Sequence, residues 1–299
     1  MSASSTKLHN PGPSWGFRFL LWADRWWPAW AFRLTMAVGT WIALSQMPRR
    51  RRASRDYLAV VLNRPPRLLE IHRHFSAFMD FLMLNLRAGA GAEMRCTLEA
   101  ENAHAFETLT KSNQPSLFGT FHFGSSDLLG YLLSECDQRV SILRLQVGNS
   151  EDTRLLGARF GDKVSFLWVN DPHQLLFALK GAIEAGRSVA LKCDRVEHSA
   201  RTAPFLFLGK RRLFPFTIYH LAAIFNLPVI FCLAIPGTEA GRIRVFSSAL
   251  FTPDPQASRA ANLSAAQVHF QEVLALLESL VRRHPYLWFN FLPLNPEVA

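Results

Sequence analysis

Ser116-Leu117-Phe118-Gly119-Thr120-Phe121-His122-Phe123-Gly124-Ser125-Ser126-Asp127-Leu128-Leu129 is the stretch from which the fold can be read. Its first half, to Phe121, is a short apolar and aromatic run suited to a buried strand. Its second half opens a helix, with serine available as N-cap and Asp127 as the first-turn acid, and this helix is expected to reach about Ser134. A strand that turns into a helix is the repeating unit of an α/β sheet. His122 then falls at the carboxyl end of the strand, where open sheets place their ligand crevice.

A histidine serves as a base when its second ring nitrogen is held by an acceptor that fixes the tautomer and stabilises the imidazolium. Asp127, about one helical turn away, is expected to fold back toward His122 in that role. Gly124 removes a side chain where a substrate approaches. Free N–H groups at the helix start can face a developing oxyanion. The same residues also fit a satisfied strand-end histidine beside an ordinary first-turn acid, and a short motif does not decide between the two.

Outward from this stretch, strands and helices alternate. Strands are expected at Met94–Leu98, Val140–Leu145, which carries Arg144 near its end, and Val164–Val169. Gly148 to Arg154 reads as a turn into a helix that contains Arg154 and Arg159. Asp171-Pro172 caps a helix that Gly186 ends. Ser188–Cys193 is a strand that delivers Asp194-Arg195 to the same edge as His122. Phe216–Phe225 is a buried helix and Leu227–Ala234 a core strand. Arg242–Leu250 alternates like an edge strand. Ser264-Ala265-Ala266-Gln267 resembles a capping box, and Pro285 stops the helix that follows it. The pattern predicts an α/β fold with a central, mostly parallel mixed sheet flanked by helices.

Pro204 to Pro215 joins an apolar lining to the cations Lys210, Arg211 and Arg212 after Gly209. Such a block suits either a groove for an acyl chain with a phosphate at its cations, or a hairpin whose basic turn is solvated. Between Asp56 and Arg87 the pattern is helical, broken at Pro65-Pro66, with His72 and His74 expected on its polar side. Neither has a spacing that suggests a metal.

The formal net charge is +10, which suits an anionic membrane, a nucleic acid or an acidic protein. Its distribution favours the membrane. Six of the 8 tryptophans, Trp15, Trp22, Trp26, Trp27, Trp30 and Trp41, crowd the amino-terminal end, and tryptophan favours the membrane–water boundary. The uncharged run Leu34–Met47 falls short of the roughly 20 residues of a spanning helix and suits an interfacial or re-entrant one. Arg49 to Arg52 and Arg55 follow it, matched to anionic headgroups on the cytoplasmic side. A cleavable signal peptide fits poorly, because the arginines follow the apolar run. No zinc spacing or RNA-binding string supports a nucleic-acid role. These features divide the chain into a membrane-associated helical segment at 1–55 and a catalytic domain at 56–299. Cys96, Cys136, Cys193 and Cys232 are scattered without metal-ligand spacing and read as reduced core thiols.

Taken together, the blocks resemble the late lipid A acyltransferases, the lauroyl and myristoyl transferases, within the lysophospholipid and glycerolipid acyltransferase superfamily. The resemblance rests on four of them. They are His122-x-x-x-x-Asp127; Arg144 with Asn149 and Arg154; Asp194-Arg195 before Phe205–Gly209; and His284-Pro285-Tyr286-Leu287-Trp288. The Trp288-Phe289-Asn290 tail and Phe214-Pro215-Phe216-Thr217 depart from that branch, and the tail is similar to members associated with aryl polyenes and other specialised envelope lipids.

The resemblance implies transfer of an acyl group from an acyl-carrier-protein or coenzyme A thioester to a lipid or glycolipid acceptor at the inner membrane, catalytic domain on the cytoplasmic face, with no metal or organic cofactor. It implies His122 as general base oriented by Asp127. Substrate contacts would come from Gly124, Ser125, Arg144, Asn149, Arg154, Asp194, Arg195, Gly209, Lys210, Arg211 and Arg212. Two other classes share these features: a thioester or ester hydrolase using the same dyad, and a non-catalytic membrane- or carrier-binding protein. No Gly-x-Ser-x-Gly elbow supports a serine hydrolase.

Overall fold

A computed structural model describes residues 14–99, 101, 103–112, 114–129, 133, 138–144, 157–168, 172–199, 201–239 and 241–298. Four helices come first: α1 (Ser14–Trp26), α2 (Ala29–Gln46), α3 (Pro48–Leu62) and α4 (Leu68–Gly89). Pro48 sits in the first turn of α3, and Asn63 ends it in the left-handed conformation before Pro65-Pro66. Then follow β1 (Arg95–Leu98), α5 (Ala103–Lys111), β2 (Leu117–Thr120), β3 (Val140–Arg144), β4 (Val164–Trp168), α6 (Pro172–Glu184) and β5 (Ser188–Lys192). The hairpin β6 (Thr202–Phe207) and β7 (Lys210–Pro215), α7 (Thr217–Phe225), β8 (Val229–Pro236), β9 (Arg242–Ser247) and α8 (Arg259–Arg283) complete the order.

Seven strands form one sheet in the order β1-β9-β8-β2-β5-β3-β4. β8, β2, β5, β3 and β4 run parallel, and the reversal comes at β8–β9. Alternation sorts the two faces. Leu117, Val229, Phe231 and Leu233 join the core under Phe270 and Leu274 of α8. Phe118, Ile230, Cys232 and Ala234 join Phe106 and Leu109 of α5 on the other face. Gly119 is required where β2 meets β8, because a Cβ there would enter the Phe231 ring.

The alternation of β9 comes from burial between β1 and β8, so it is not the edge strand expected; β1 is. The last helix starts at Arg259, capped by Ser258, whose hydroxyl accepts from Ala261 N at 3.2 Å; the Ser264 box lies inside it. After Asp127 the chain forms a turn of 3-10 helix, Ser126–Leu128, and the expected continuation to Ser134 lies mostly outside the described residues. Cys96, Cys193 and Cys232 are free thiols; Cys136 lies outside the described residues.

Position 55 falls within α3. α1 and α2 lie against α4 and expose Trp15, Trp22, Trp26, Trp30, Leu34, Val38 and Trp41. Among the described residues no helix is long and apolar enough to cross a membrane.

Candidate functional site

The parallel register of β2 on β5 builds the site. Thr120 pairs with Lys192, and Cys193 N donates to Thr120 O at 2.8 Å. Two residues further on, His122 and Asp194 lie side by side at the carboxyl edge of the sheet. His122 Nδ1 donates to Asp194 Oδ1 at 2.7 Å, and His122 N donates to Oδ2 at 2.9 Å. The Trp288 indole N–H also donates to Oδ2, at 2.9 Å.

Asp194 is 0 % exposed. Burial alone raises a carboxyl pKa, but His122, Arg195 and the Trp288 indole more than reverse this and hold Asp194 ionised. An ionised carboxylate can only accept, so Nδ1 carries the imidazole proton and Nε2 presents its lone pair. Burial, the dominant influence, pushes His122 below the ordinary histidine range. Lys192 and Arg195 act in the same direction, and Asp194 opposes them. The side chain is 22 % exposed, so one edge meets solvent while the Asp194 edge is dry. The result is a neutral, oriented base with an accessible edge. Among the described residues nothing is hydrogen-bonded to Nε2.

Asp127 does not hold the imidazole. It pairs with Lys192 Nζ at 2.5 Å. Burial would raise its pKa, but Lys192, Arg144 and His122 draw it down to about 2. The expectation that Asp127 orients His122 is therefore replaced by Asp194 in that position, with Asp127–Lys192 as a neighbouring ion pair. Lys192 shares the Asp194 side of β5 by alternation.

The oxyanion expectation also changes. Gly124 N donates to Leu287 O at 2.7 Å, Ser125 N to Ala234 O at 2.8 Å and Ser126 N to Phe123 O at 3.3 Å. These amides are occupied. Gly124 has φ +53, and an added Cβ would strike the Ala234 carbonyl, so β8 rather than a substrate requires glycine here. The buried hydroxyls of Thr120, Ser125 and Ser126 have no partner among the described residues.

A carboxyl-terminal strap closes one side of the site. Phe123 bridges Trp288, and Phe289 N donates to His122 O at 2.7 Å. Tyr57 of α3 donates its hydroxyl to Pro285 O at 2.8 Å. His74 of α4, expected at the surface, is fully buried. Its Nε2 donates to Trp288 O at 2.9 Å, which makes Nδ1 the acceptor from the Ser54 hydroxyl at 2.8 Å. Burial pushes its pKa down to about 4, against the pull of the Trp288 carbonyl, so this single neutral tautomer is held. His72 is partly buried and stacks on Trp41 at 4.4 Å.

The basic hairpin is structural. Leu208 and Gly209, φ +51 and +74, form a two-residue turn between β6 and β7. Arg212 is buried and ties down the carboxyl-terminal end through Asn295 O at 3.0 Å and Glu297 Oε1 at 2.9 Å. Lys210 approaches the same Glu297 at 3.5 Å, and Arg211 is exposed. Phe205 and Phe207 face the core, so this block forms no acyl groove. Arg144 is close enough to lower the Asp127 pKa, and Arg195 Nη2 donates to Phe289 O at 3.4 Å, so both belong to the site. Asn149 and Arg154 lie outside the described residues. Lys192, Trp288, His74, Ser54 and Tyr57 were not anticipated in these roles; a lone histidine or tyrosine in a helical pattern carries no local mark of a partner far along the chain.

No protein-family profile matches the chain, and no curated protein does. Among solved structures it is similar to the 1-acyl-sn-glycerophosphate acyltransferase PlsC from Thermotoga maritima. That likeness has 15 % identity and a TM-score of 0.32, and covers 81 % of this chain and 96 % of that one.

Proposed function

We propose that the chain is an acyltransferase that moves a fatty acyl group from a thioester to a hydroxyl of a lipid or glycolipid acceptor. The observation that carries this is the His122 imidazole, locked by buried Asp194 with Nδ1 protonated and Nε2 unengaged among the described residues. Nε2 takes the proton of the acceptor hydroxyl as its oxygen attacks the thioester carbonyl. The tetrahedral intermediate then expels the thiolate, which receives the proton from the imidazolium. The C–S bond is replaced by a C–O ester bond, and the base is regenerated. Asp194 stays ionised and stabilises the imidazolium meanwhile.

The nucleophile belongs to the substrate in this scheme. Cys193, next to Asp194 in sequence, is buried, and burial together with Asp194 pushes its pKa well above the ordinary value, which suppresses its thiolate. The donor is a carrier-protein or coenzyme A thioester. The acceptor is a lipid or glycolipid of the lipid A or specialised envelope class.

The working surface of the enzyme is the cytoplasmic face of an anionic inner membrane. Support comes from the exposed tryptophans of α1 and α2 and from exposed Arg49, Arg51, Arg52 and Arg55 on α3, an interfacial aromatic and basic pairing. The segment 1–55 is then the membrane-associated part and 56–299 the catalytic part.

The test is an acyl-transfer assay with labelled carrier-protein thioesters and total membrane lipid, comparing wild type with His122→Ala and identifying products by mass spectrometry. A His122-dependent acylated lipid is expected. Release of free fatty acid alone would make the protein a hydrolase.

A further inference from the structure

The helices α3 and α4 reach the base through one unbroken chain of hydrogen bonds. The Ser54 hydroxyl of α3 donates to His74 Nδ1 at 2.8 Å, and His74 Nε2 of α4 donates to Trp288 O at 2.9 Å. The Trp288 indole donates to Asp194 Oδ2 at 2.9 Å, and Asp194 Oδ1 receives the His122 Nδ1 proton at 2.7 Å. Ser54, His74 and Asp194 are 0 % exposed and Trp288 is 1 %, so water does not compete along the chain.

Donor and acceptor chemistry gives the chain one direction at each end. A backbone carbonyl can only accept, so His74 carries its proton on Nε2, and Ser54 supplies the donor that Nδ1 then needs. His122 is the opposite tautomer, with its proton on Nδ1, because an ionised carboxylate faces it.

The strap explains why a bond to one carbonyl matters at the other end. Phe123 bridges Trp288, with Gly124 N on Leu287 O and Phe289 N on His122 O. Carbonyls alternate along an extended chain, so Trp288 O faces away from that pairing, and there His74 takes it. Residue 288 is thus pinned on both edges. Without the outer contact its peptide is free to rotate, and the indole on the same Cα moves with it. The apolar ring contacts to Tyr57 and Phe207, at 5.2 and 5.4 Å, hold the ring in place but give its N–H no direction.

We propose that His74 is a positioning residue: through Trp288 it holds the Asp194 carboxylate in the orientation that makes His122 a base. Its effect on rate rests on the acyl-transfer reading, while its effect on the Trp288 indole does not. Ser54 belongs to the segment marked by tryptophan and arginine as a membrane surface, so that segment also takes part in setting the base.

The full chain is compared as wild type, His74→Phe, His74→Gln, Ser54→Ala, Trp288→Phe and the double variant His74→Phe/Trp288→Phe. Ile243→Ala, at a buried position of β9 remote from the strap, controls for lost core stability. One readout is kcat and KM of acyl transfer. The other is the hydrogen-exchange lifetime of the Trp288 indole N–H in 15N-tryptophan-labelled protein, its cross-peak assigned by its loss in Trp288→Phe. His74→Phe should lower kcat about tenfold with KM unchanged and shorten the indole lifetime by a similar factor, the loss of one buried hydrogen bond. His74→Gln, whose amide offers a donor and an acceptor on adjacent atoms, should recover most of both. Ser54→Ala should shorten the lifetime less than His74→Phe does. The double variant should lose no more rate than Trp288→Phe alone, because His74 acts through that residue.

Multiplying losses in the double variant, or an Ile243→Ala loss equal to that of His74→Phe, overturns the proposal. So does an indole lifetime unchanged in His74→Phe, or unchanged in Ser54→Ala should His74→Phe fail to fold. A wild type that transfers no acyl group refutes the acyltransferase, and the lifetimes then decide the tie from His74 to Asp194 by themselves. Wild-type transfer with rates and lifetimes indifferent to His74 and Ser54 refutes the tie and leaves the acyltransferase.

Discussion

Asp194→Asn separates the two carboxylates that stand near His122. The native carboxylate receives three hydrogen bonds, from His122 Nδ1, His122 N and the Trp288 indole. An asparagine can offer one oxygen to the indole and backbone donors, and its amide N–H₂ then faces Nδ1. Nδ1 must become the acceptor, so the ring proton moves to Nε2 and the base can no longer take a proton from the acceptor hydroxyl. Loss of the working tautomer costs about 10³–10⁴ in rate, or roughly 4–5.5 kcal/mol of barrier. Asp127→Asn removes instead a partly exposed ion pair with Lys192, worth ~1 kcal/mol and so about tenfold at most. Single-turnover acyl transfer from a labelled thioester, with thermal melts to confirm folding, measures both. If Asp194→Asn keeps more than a tenth of the wild-type rate while Asp127→Asn loses most of it, the assignment of Asp194 is wrong.

Four further outcomes follow from the same geometry. Trp288→Phe keeps an aromatic ring near Tyr57 and Phe207, 5.2 and 5.4 Å from the native one, but deletes the indole donor to Asp194; about tenfold loss of rate with ~1 kcal/mol of stability is expected by kinetics and urea melts. His74→Phe leaves the Ser54 hydroxyl and the Trp288 carbonyl unpaired in a dry core, and urea melts should show a loss of about 2–4 kcal/mol. Native His74 is held neutral with its pKa near 4 against an ordinary 6.5, so the folded state binds fewer protons than the unfolded one between those values. Its contribution is present above pH 6.5 and lost as pH falls toward 4, by about 3 kcal/mol; wild-type stability falling through that window more steeply than that of His74→Phe is the expected result. Gly119→Ala drives a methyl into the Phe231 ring and should cost about 1–3 kcal/mol, read as a lowered melting temperature.

Much of the fold was legible because sheets and helices leave local periodic signals. The apolar runs that placed β2, β3, β4, β5 and β8, and the Gly186 stop after α6, are properties of a few adjacent residues. Burial of β9 between two strands was not legible, since alternation looks the same in an edge strand and in a central one whose faces differ. His74 illustrates the same limit. Its place in a helical pattern looked polar, yet the strap that covers it comes from more than two hundred residues away, |i−j| 214 in its bond to Trp288.

The sequence by itself determined that His122 stands at the carboxyl end of a central strand, and that Asp194 arrives at the same edge on another. Strand composition and the α/β alternation suffice for that, because both are set by short-range sterics and hydrophobic pattern. Only the tertiary structure decided which carboxylate takes the imidazole. The pairing of β2 with β5 joins residues 72 positions apart, and register is fixed by packing across the whole sheet rather than by any neighbouring residue. The same packing gave Asp127 to Lys192 and turned Arg212 into a tie for the carboxyl-terminal end.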